Sequence, residues 1–239
     1  MTSEKRLALS HTGFWNALLP MEEPYIRTQN TRVRTFAYEV FSVLPAAQRG
    51  VVNECAFLIF VVSVKAGIDP VNLSKEQLVG CAEDAFGRVS RLSAFARVLP
   101  QPLTEKALHE AQMLATRLTS YFSSRPERLF TAMPVFPGCG WLDEAEGDVL
   151  GDRTLFEIKA GERQFRGIDI RQVLCYCALG FSAKVYDIDN VCLVNPRFGT
   201  YFEDTLENLC WRTAGMSAAA VLGEIVNYVS EPLSRYSAG

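Results

Sequence analysis

Histidine is nearly missing from this chain: His11 and His109 are its two in 239 residues, too few and too isolated for a zinc site. A metal-dependent activity here has to rest on oxygen donors. A surplus of positive charge is missing as well. The formal net charge is −3 and the pI about 5.6, whereas a free-standing nucleic-acid binder is usually basic. No apolar run is long enough to cross a bilayer: residues 55–64 are bracketed by Glu54 and Lys65 and suit a buried helix. No basic leader with a long apolar stretch and cleavage site is expected at the N-terminus, and no membrane role follows. Cysteine occurs seven times, but an odd number without framework spacing implies reduced thiols in a cytoplasm. Internal repeats and low-complexity segments are absent. Hydrophobic residues at 49% and charged ones at 21% describe an ordinary globular protein, with one large core or two modest ones.

What the chain does contain is a regular set of polar residues between Asp148 and Tyr176, in the segment GDVLGDRTLFEIKAGERQFRGIDIRQVLCYCALGF that starts at Gly147. Residues 155–160 alternate as a strand does, so Glu157 and Lys159 project from one face. Turn residues Gly151-Asp152-Arg153-Thr154 precede it, and residues 146–150 supply a partner strand. Asp152 reads as a turn residue. With the hairpin turning at Asp152-Arg153, Asp148 lies directly opposite Glu157, with Cβ atoms roughly 5 Å apart. Two like charges in that register weaken a hairpin. A divalent cation between them reverses the sign, and Lys159 stands beside it. Mg²⁺ takes oxygen ligands, few of them from protein, and Asp148, Glu157 and the carbonyl of Ile158 form such a partial shell. Such an ion lowers the pKa of its water and neutralises charge on a scissile phosphate. Lys159, a compact ammonium, can orient the attacking water or stabilise the transition state.

These residues resemble the PD-(D/E)xK nuclease superfamily, over roughly residues 104–202. Asp148 falls on its second motif, with Gly147 where proline is common, and Glu157-Ile158-Lys159 on its third. Gln172 and Tyr176 match the QxxxY motif of the RecB-like and lambda-exonuclease-like branch. The acidic-aliphatic-lysine tripeptide alone is a weak signal; the hairpin aspartate, the turn and the helix behind it make the combination specific. The resemblance implies an α/β (α+β) fold, a restriction-endonuclease-like mixed β-sheet flanked by helices, with Mg²⁺ or Mn²⁺ at its acidic edge. Some RecB-like relatives hold an iron–sulfur cluster on four cysteines. Cys139, Cys175, Cys177, Cys192 and Cys210 do not form the required C-terminal grouping, and Cys175 and Cys177 point to different sides of one helix.

Several residues have a plainer reading. Asp169-x-x-Gln172 fits a capping box, which alone would explain Gln172. Tyr176 could be an ordinary half-buried aromatic, yet the two lie four apart on one helical face. Arg163, Arg166 and Arg171 follow the motif and can bind phosphate or simply face solvent. The family's first motif is usually a glutamate on the helix before the sheet. Such a helix runs here over residues 104–122, with Ala107, Ala111, Leu114, Leu118 and Tyr121 on its apolar stripe and Glu110 at the edge. Glu110 is the candidate third carboxylate and a metal ligand, or else a solvated glutamate. Glu54 is its rival, since a carboxylate in so apolar a run needs a partner.

The rest of the chain reads as a helical N-terminal region, residues 1–101, and a nuclease-like domain, residues 102–239, with a soft boundary at Leu99-Pro100-Gln101-Pro102. Helices are expected over residues 31–43, 51–65 and, from a Ser74-x-x-Gln77 capping box, from there toward 98, with an interruption near Gly87. Strands are expected over 128–136, 190–194 and 200–203, and a last amphipathic helix over 217–229. The functional expectation is a Mg²⁺- or Mn²⁺-dependent nuclease, cutting DNA for preference, exonuclease-like or end-processing, in repair or in defence against mobile elements. Two alternatives stand: an inert nuclease-like subunit that binds protein or nucleic acid, and a cleavage subunit of a larger assembly. The acidic charge and the apolar cluster Phe57, Leu58, Phe60, Val61 and Val62 suggest a homo-oligomer or a protein partner, although a buried core helix would absorb the same residues.

Overall fold

The computed structural model describes residues 2–92 and 99–232. Three short helices open it: α1 (Glu4–Ser10), α2 (Thr12–Leu18) and α3 (Glu22–Asn30). Each is under three turns, too short for apolar periodicity to reveal from sequence. The helix expected over residues 31–43 does not form. Its first part becomes β1 (Arg34–Thr35), paired antiparallel with Tyr201 and Thr200. Its remainder is an extended strap, where Phe36 and Ala37 donate backbone bonds to the Gly199 carbonyl. Distant sheet partners override local helical pattern here.

Three longer helices follow. α4 (Ala46–Ala66) ends at Gly67, whose φ of 64° is the left-handed conformation that only glycine adopts cheaply. Among the described residues α4 is the one helix long and apolar enough to cross a membrane. It is nevertheless the core helix of the fold, with Val51, Cys55 and Ile59 fully buried. α5 (Lys75–Leu92) starts at the expected reciprocal cap: Ser74 N–H donates to Gln77 Oε1 at 2.8 Å and Gln77 N–H to Ser74 Oγ at 3.3 Å. It runs unbroken through Gly87, and its expected course over 93–98 lies outside the described residues. α6 (Glu105–Ser123) is capped by Thr104 and buries the whole predicted stripe from Ala107 to Tyr121.

The strand expected over 128–136 splits into β2 (Phe130–Ala132) and β3 (Val135–Phe136), because Met133 takes a φ of 58° just before Pro134. β4 (Ala145–Glu146) pairs with β3 as a separate ribbon. Then come β5 (Val149–Gly151), β6 (Thr154–Ile158), α7 (Gly167–Ala183), β7 (Asn190–Asn195), β8 (Thr200–Thr205), α8 (Leu206–Ala214) and α9 (Ala218–Ser230). The main sheet has the order β1-β8-β7-β6-β5-β2 and is mixed: β6 and β7 are parallel, the other pairs antiparallel. The fold is α+β.

Strand alternation sorts the two cores. Val149, Phe156, Cys192 and Val194 face α4 and α6, whereas Leu150, Leu155, Val191 and Leu193 face α7 and α9. The first three helices join the second core through Leu7, Trp15 and Tyr25. The boundary expected at residues 99–102 therefore does not divide two cores; the N-terminal helices cover both faces of one sheet. The run Phe57 to Val61 is consumed by the α4–α6 packing.

Candidate active site

The β5–β6 hairpin has the expected register, with Val149 opposite Phe156 and Leu150 opposite Leu155. Continued one residue past β5, the same register sets Asp148 against Glu157. Asp152, at φ 46°, makes the two-residue turn, and its carboxylate accepts from Arg128 N–H. Alternation sends Glu157 and Lys159 toward α7, and the parallel ladder is extended past Ile158 by Lys159 N–H to the Val194 carbonyl at 2.8 Å. Asp148 Oδ2 accepts from the Ile158 backbone N–H at 2.6 Å, which locks the two strands together at the site.

Around the buried Glu157 the polar groups form one chain. Lys159 Nζ donates to Glu157 Oε1 at 2.7 Å and to Gln172 Oε1 at 2.6 Å. Gln172 Nε2 donates to the Tyr176 hydroxyl at 2.9 Å. Tyr176 in turn donates to Glu4 Oε1, at 3.4 Å. Gln172 is thus not a capping residue. Helix α7 starts one turn earlier than the expected box, and Asp169 reaches back to the Arg166 N–H at 2.9 Å.

The electrostatics are unbalanced. Burial and then the negative charge of Glu157 push the Asp148 carboxyl up to about 8. Burial opposes the charge on Lys159, but Glu157, Asp169 and Asp148 outweigh it and hold the ammonium above its ordinary pKa. Tyr176 is raised by burial and by Glu157, Glu4 and Asp148. Asp169 is neutralised by Arg163, bidentate at 2.7 Å on both oxygens. Asp148, Glu157 and Glu4 remain against Lys159, with Lys5 a weaker influence on Asp148.

Of the expected site residues, Glu110 lies elsewhere, and Arg163 and Arg171 are committed to carboxylates. Glu110 sits on α6, across the sheet from the Glu157 side chain, and its carboxylate is taken by Arg197 at 2.8 Å and Ser42 at 3.0 Å. Arg163 is spent on Asp169. Arg171 is spent on Glu22, at 2.9 Å from Nε to Oε2, and ties α7 to α3. Glu54 has its partner in Arg88, at 3.5 Å, and Arg166 is exposed. In place of Glu110 the fold brings Glu4, from the first turn of α1. Glu4 and Asp148 both line an open cleft of about 450 Å³, together with Lys5, Arg88, Arg91 and Glu54. Sequence spacing had no means of finding Glu4, which lies 172 residues from Tyr176. Its one local signal is Ser3, which caps α1 and so fixes the helix start.

A divalent cation fits this donor set. Glu157 Oε2 is buried with no hydrogen-bond partner. Asp148 and Glu157 are hard oxygen donors in adjacent register. Among the described residues no three Asp, Glu, His or Cys side chains converge into a complete ligand set, and Mg²⁺ does not demand one, since it keeps several waters or substrate oxygens. Neither a scan against protein-family models nor a search of curated proteins finds a match to this chain.

Gln172→Ala should slow any chemistry at the site about tenfold to a hundredfold by releasing Lys159. Because Gln172 is not a cap, helix stability should not fall through loss of a cap. Gln172→Glu should keep an acceptor for Lys159 but set a second carboxylate against Glu4, and so recover the rate only in part. Steady-state kinetics beside thermal melts of both variants separate the two roles.

Proposed function

We propose that this chain is a Mg²⁺- or Mn²⁺-dependent nuclease of the PD-(D/E)xK type, hydrolysing phosphodiester bonds, with DNA as the favoured substrate. The observation that carries this is the Asp148–Glu157 pair: two carboxylates in cross-strand register, one raised in pKa and one with an unpartnered oxygen, beside a lysine held by a QxxxY helix. Asp148, Glu157 and the Ile158 carbonyl would hold the metal, and Glu4 lines the same cleft as Asp148. When bound, it supplies Lewis-acid stabilisation of the scissile phosphate and acidifies the attacking water. Lys159 presents N–H donors at the same edge, where negative charge grows on the phosphate oxygens. Gln172 fixes the Lys159 ammonium, and Tyr176, anchored on Glu4, fixes the Gln172 amide. Lys5 and Arg91 line the cleft as cations for phosphates away from the reacting one, and Arg88, which lines it too, is shared with Glu54 and Glu146.

A second reading, a binding subunit that does not cut, is favoured by one observation: Arg163 and Arg171, next to the motif, are both committed to carboxylates. Together with the net charge of −3 this supports weak, salt-sensitive binding by the chain alone and a need for a second copy or a protein partner. The deciding experiment incubates purified protein with linear DNA, circular DNA and RNA, in Mg²⁺, Mn²⁺ or EDTA. Metal-dependent cleavage that EDTA stops supports the nuclease. Binding without cleavage under every metal condition supports the subunit.

A further inference from the structure

The Lys159 ammonium has three N–H donors, and the structure engages two of them. Glu157 Oε1 takes one at 2.7 Å and Gln172 Oε1 another at 2.6 Å. Among the described residues the third has no hydrogen-bond partner. Yet a further carboxylate stands close by: Asp169 Oδ1 lies 3.8 Å from Lys159 Nζ. The charge is felt at that distance, but a hydrogen bond needs about 2.7–3.2 Å. An ammonium on a flexible four-carbon stem closes such a gap easily, so something holds the two apart.

Arg163 does so. Its Nη2 donates to Asp169 Oδ1 and its Nη1 to Oδ2, both at 2.7 Å. Nη1 also donates to the Gln164 carbonyl at 3.0 Å, and the Arg166 N–H adds a bond to Asp169 Oδ2 at 2.9 Å. Both Asp169 oxygens are therefore occupied, on a side chain only 2% exposed. Oδ1 is the oxygen that faces Lys159, and Arg163 is its one hydrogen-bond donor among the described residues. Without that donor Oδ1 becomes a buried acceptor left empty, which is costly. The cation left beside it is Lys159, about 1 Å beyond bonding reach.

We propose that Arg163 is a positioning residue, which holds Asp169 off Lys159 and so keeps the third Lys159 N–H available to a phosphate oxygen. The consequence for cleavage rests on the nuclease reading; the geometry does not. Arg163 acts through Asp169 and bonds to neither Asp148 nor Glu157. With the guanidinium gone, Oδ1 draws the ammonium toward the start of α7 by about 1 Å, a misplacement that costs up to about a hundredfold in rate. A plainer task for the pair is to fix the start of α7 through the bond from Asp169 to Arg166 N–H. That task makes the opposite forecast: loss of Asp169 then adds to the damage instead of relieving it.

The test is a mutant cycle on the full chain, with linear DNA and Mg²⁺ or Mn²⁺. Arg163→Gln should lower kcat about tenfold to a hundredfold while KM stays within about twofold. Adding Asp169→Asn removes the capturing charge and should bring kcat back to within about threefold of Asp169→Asn alone. Arg163→Lys, with a single point of contact in place of a fork, should fall between wild type and Arg163→Gln. It carries the same cycle if Arg163→Gln does not fold. The proton–nitrogen correlation signal of the Lys159 ammonium, identified by its loss in Lys159→Ala, is read at one pH without metal or DNA. It should move in Arg163→Gln and return in the double variant. A rate loss that Asp169→Asn does not relieve makes the pair a structural support of α7 and overturns the proposal. So does a Lys159 signal that Arg163→Gln leaves in place. Absence of cleavage by wild type ends the nuclease reading, and the Lys159 signal still decides what holds the ammonium.

Discussion

Lys159→Ala and Asp148→Asn should each lower the metal-dependent cleavage rate by at least about 10²–10³-fold, the scale of losing one charge-stabilising group from a preorganised site. The two losses have different causes. Lys159→Ala removes the ammonium that Glu157 and Gln172 hold at 2.7 and 2.6 Å. It also leaves those oxygens without their donor in a buried place, so the metal-free variant should be less stable than wild type. Asp148→Asn keeps an acceptor for the Ile158 N–H but removes a metal-binding charge. Far-UV circular dichroism and single-turnover kinetics on the same preparations keep folding and chemistry apart. Rates within a factor of three of wild type in either folded variant would reject the assignment. Glu4→Gln should cost less, about tenfold, because Glu4 touches Tyr176 and Gln172 rather than Lys159.

The parts of this site that the sequence made legible are those set by local rules. A two-residue turn and a period of two dictate that Asp148 faces Glu157 and that Lys159 shares its side. Helix caps at Ser74, Thr104 and Ser217 follow from side-chain chemistry within three residues. What could not be read depends on which distant groups meet. Glu110 has the right residue type and the right helix, but that helix packs on the opposite face of the sheet. Whether Glu110 meets Glu157 or Arg197 is settled by tertiary packing alone. Arg171 looks like a phosphate ligand until Glu22, 149 residues away, claims it. The strap over residues 36–45 is masked by a local helical pattern, since its actual partners are the distant Gly199 and Arg197 carbonyls and the Glu162 carboxylate.

The repulsion that makes Asp148 and Glu157 useful together should also be measurable as instability. Asp148 ionises near its ordinary 3.8 in the unfolded chain and is raised to about 8 in the folded one. A raised carboxyl binds its proton more tightly when folded, so its share of stability is complete below 3.8 and is lost as pH climbs toward 8. Metal-free wild type should therefore lose stability across that window, and Asp148→Asn, with no proton to lose, should not. At the upper end the variant should be more stable by roughly 1–3 kcal/mol, a Tm higher by several degrees for a chain of this size. At the acid end the two should melt together. Magnesium or manganese should reverse the order at the alkaline end, raising the wild-type Tm with concentration and leaving the variant nearly unmoved, because only the wild type offers both carboxylates. Thermal melts at several pH values, with EDTA and with each metal, measure both effects. A variant less stable than wild type at every pH, with no metal response in either protein, would mean that the pair is held by something other than a shared cation.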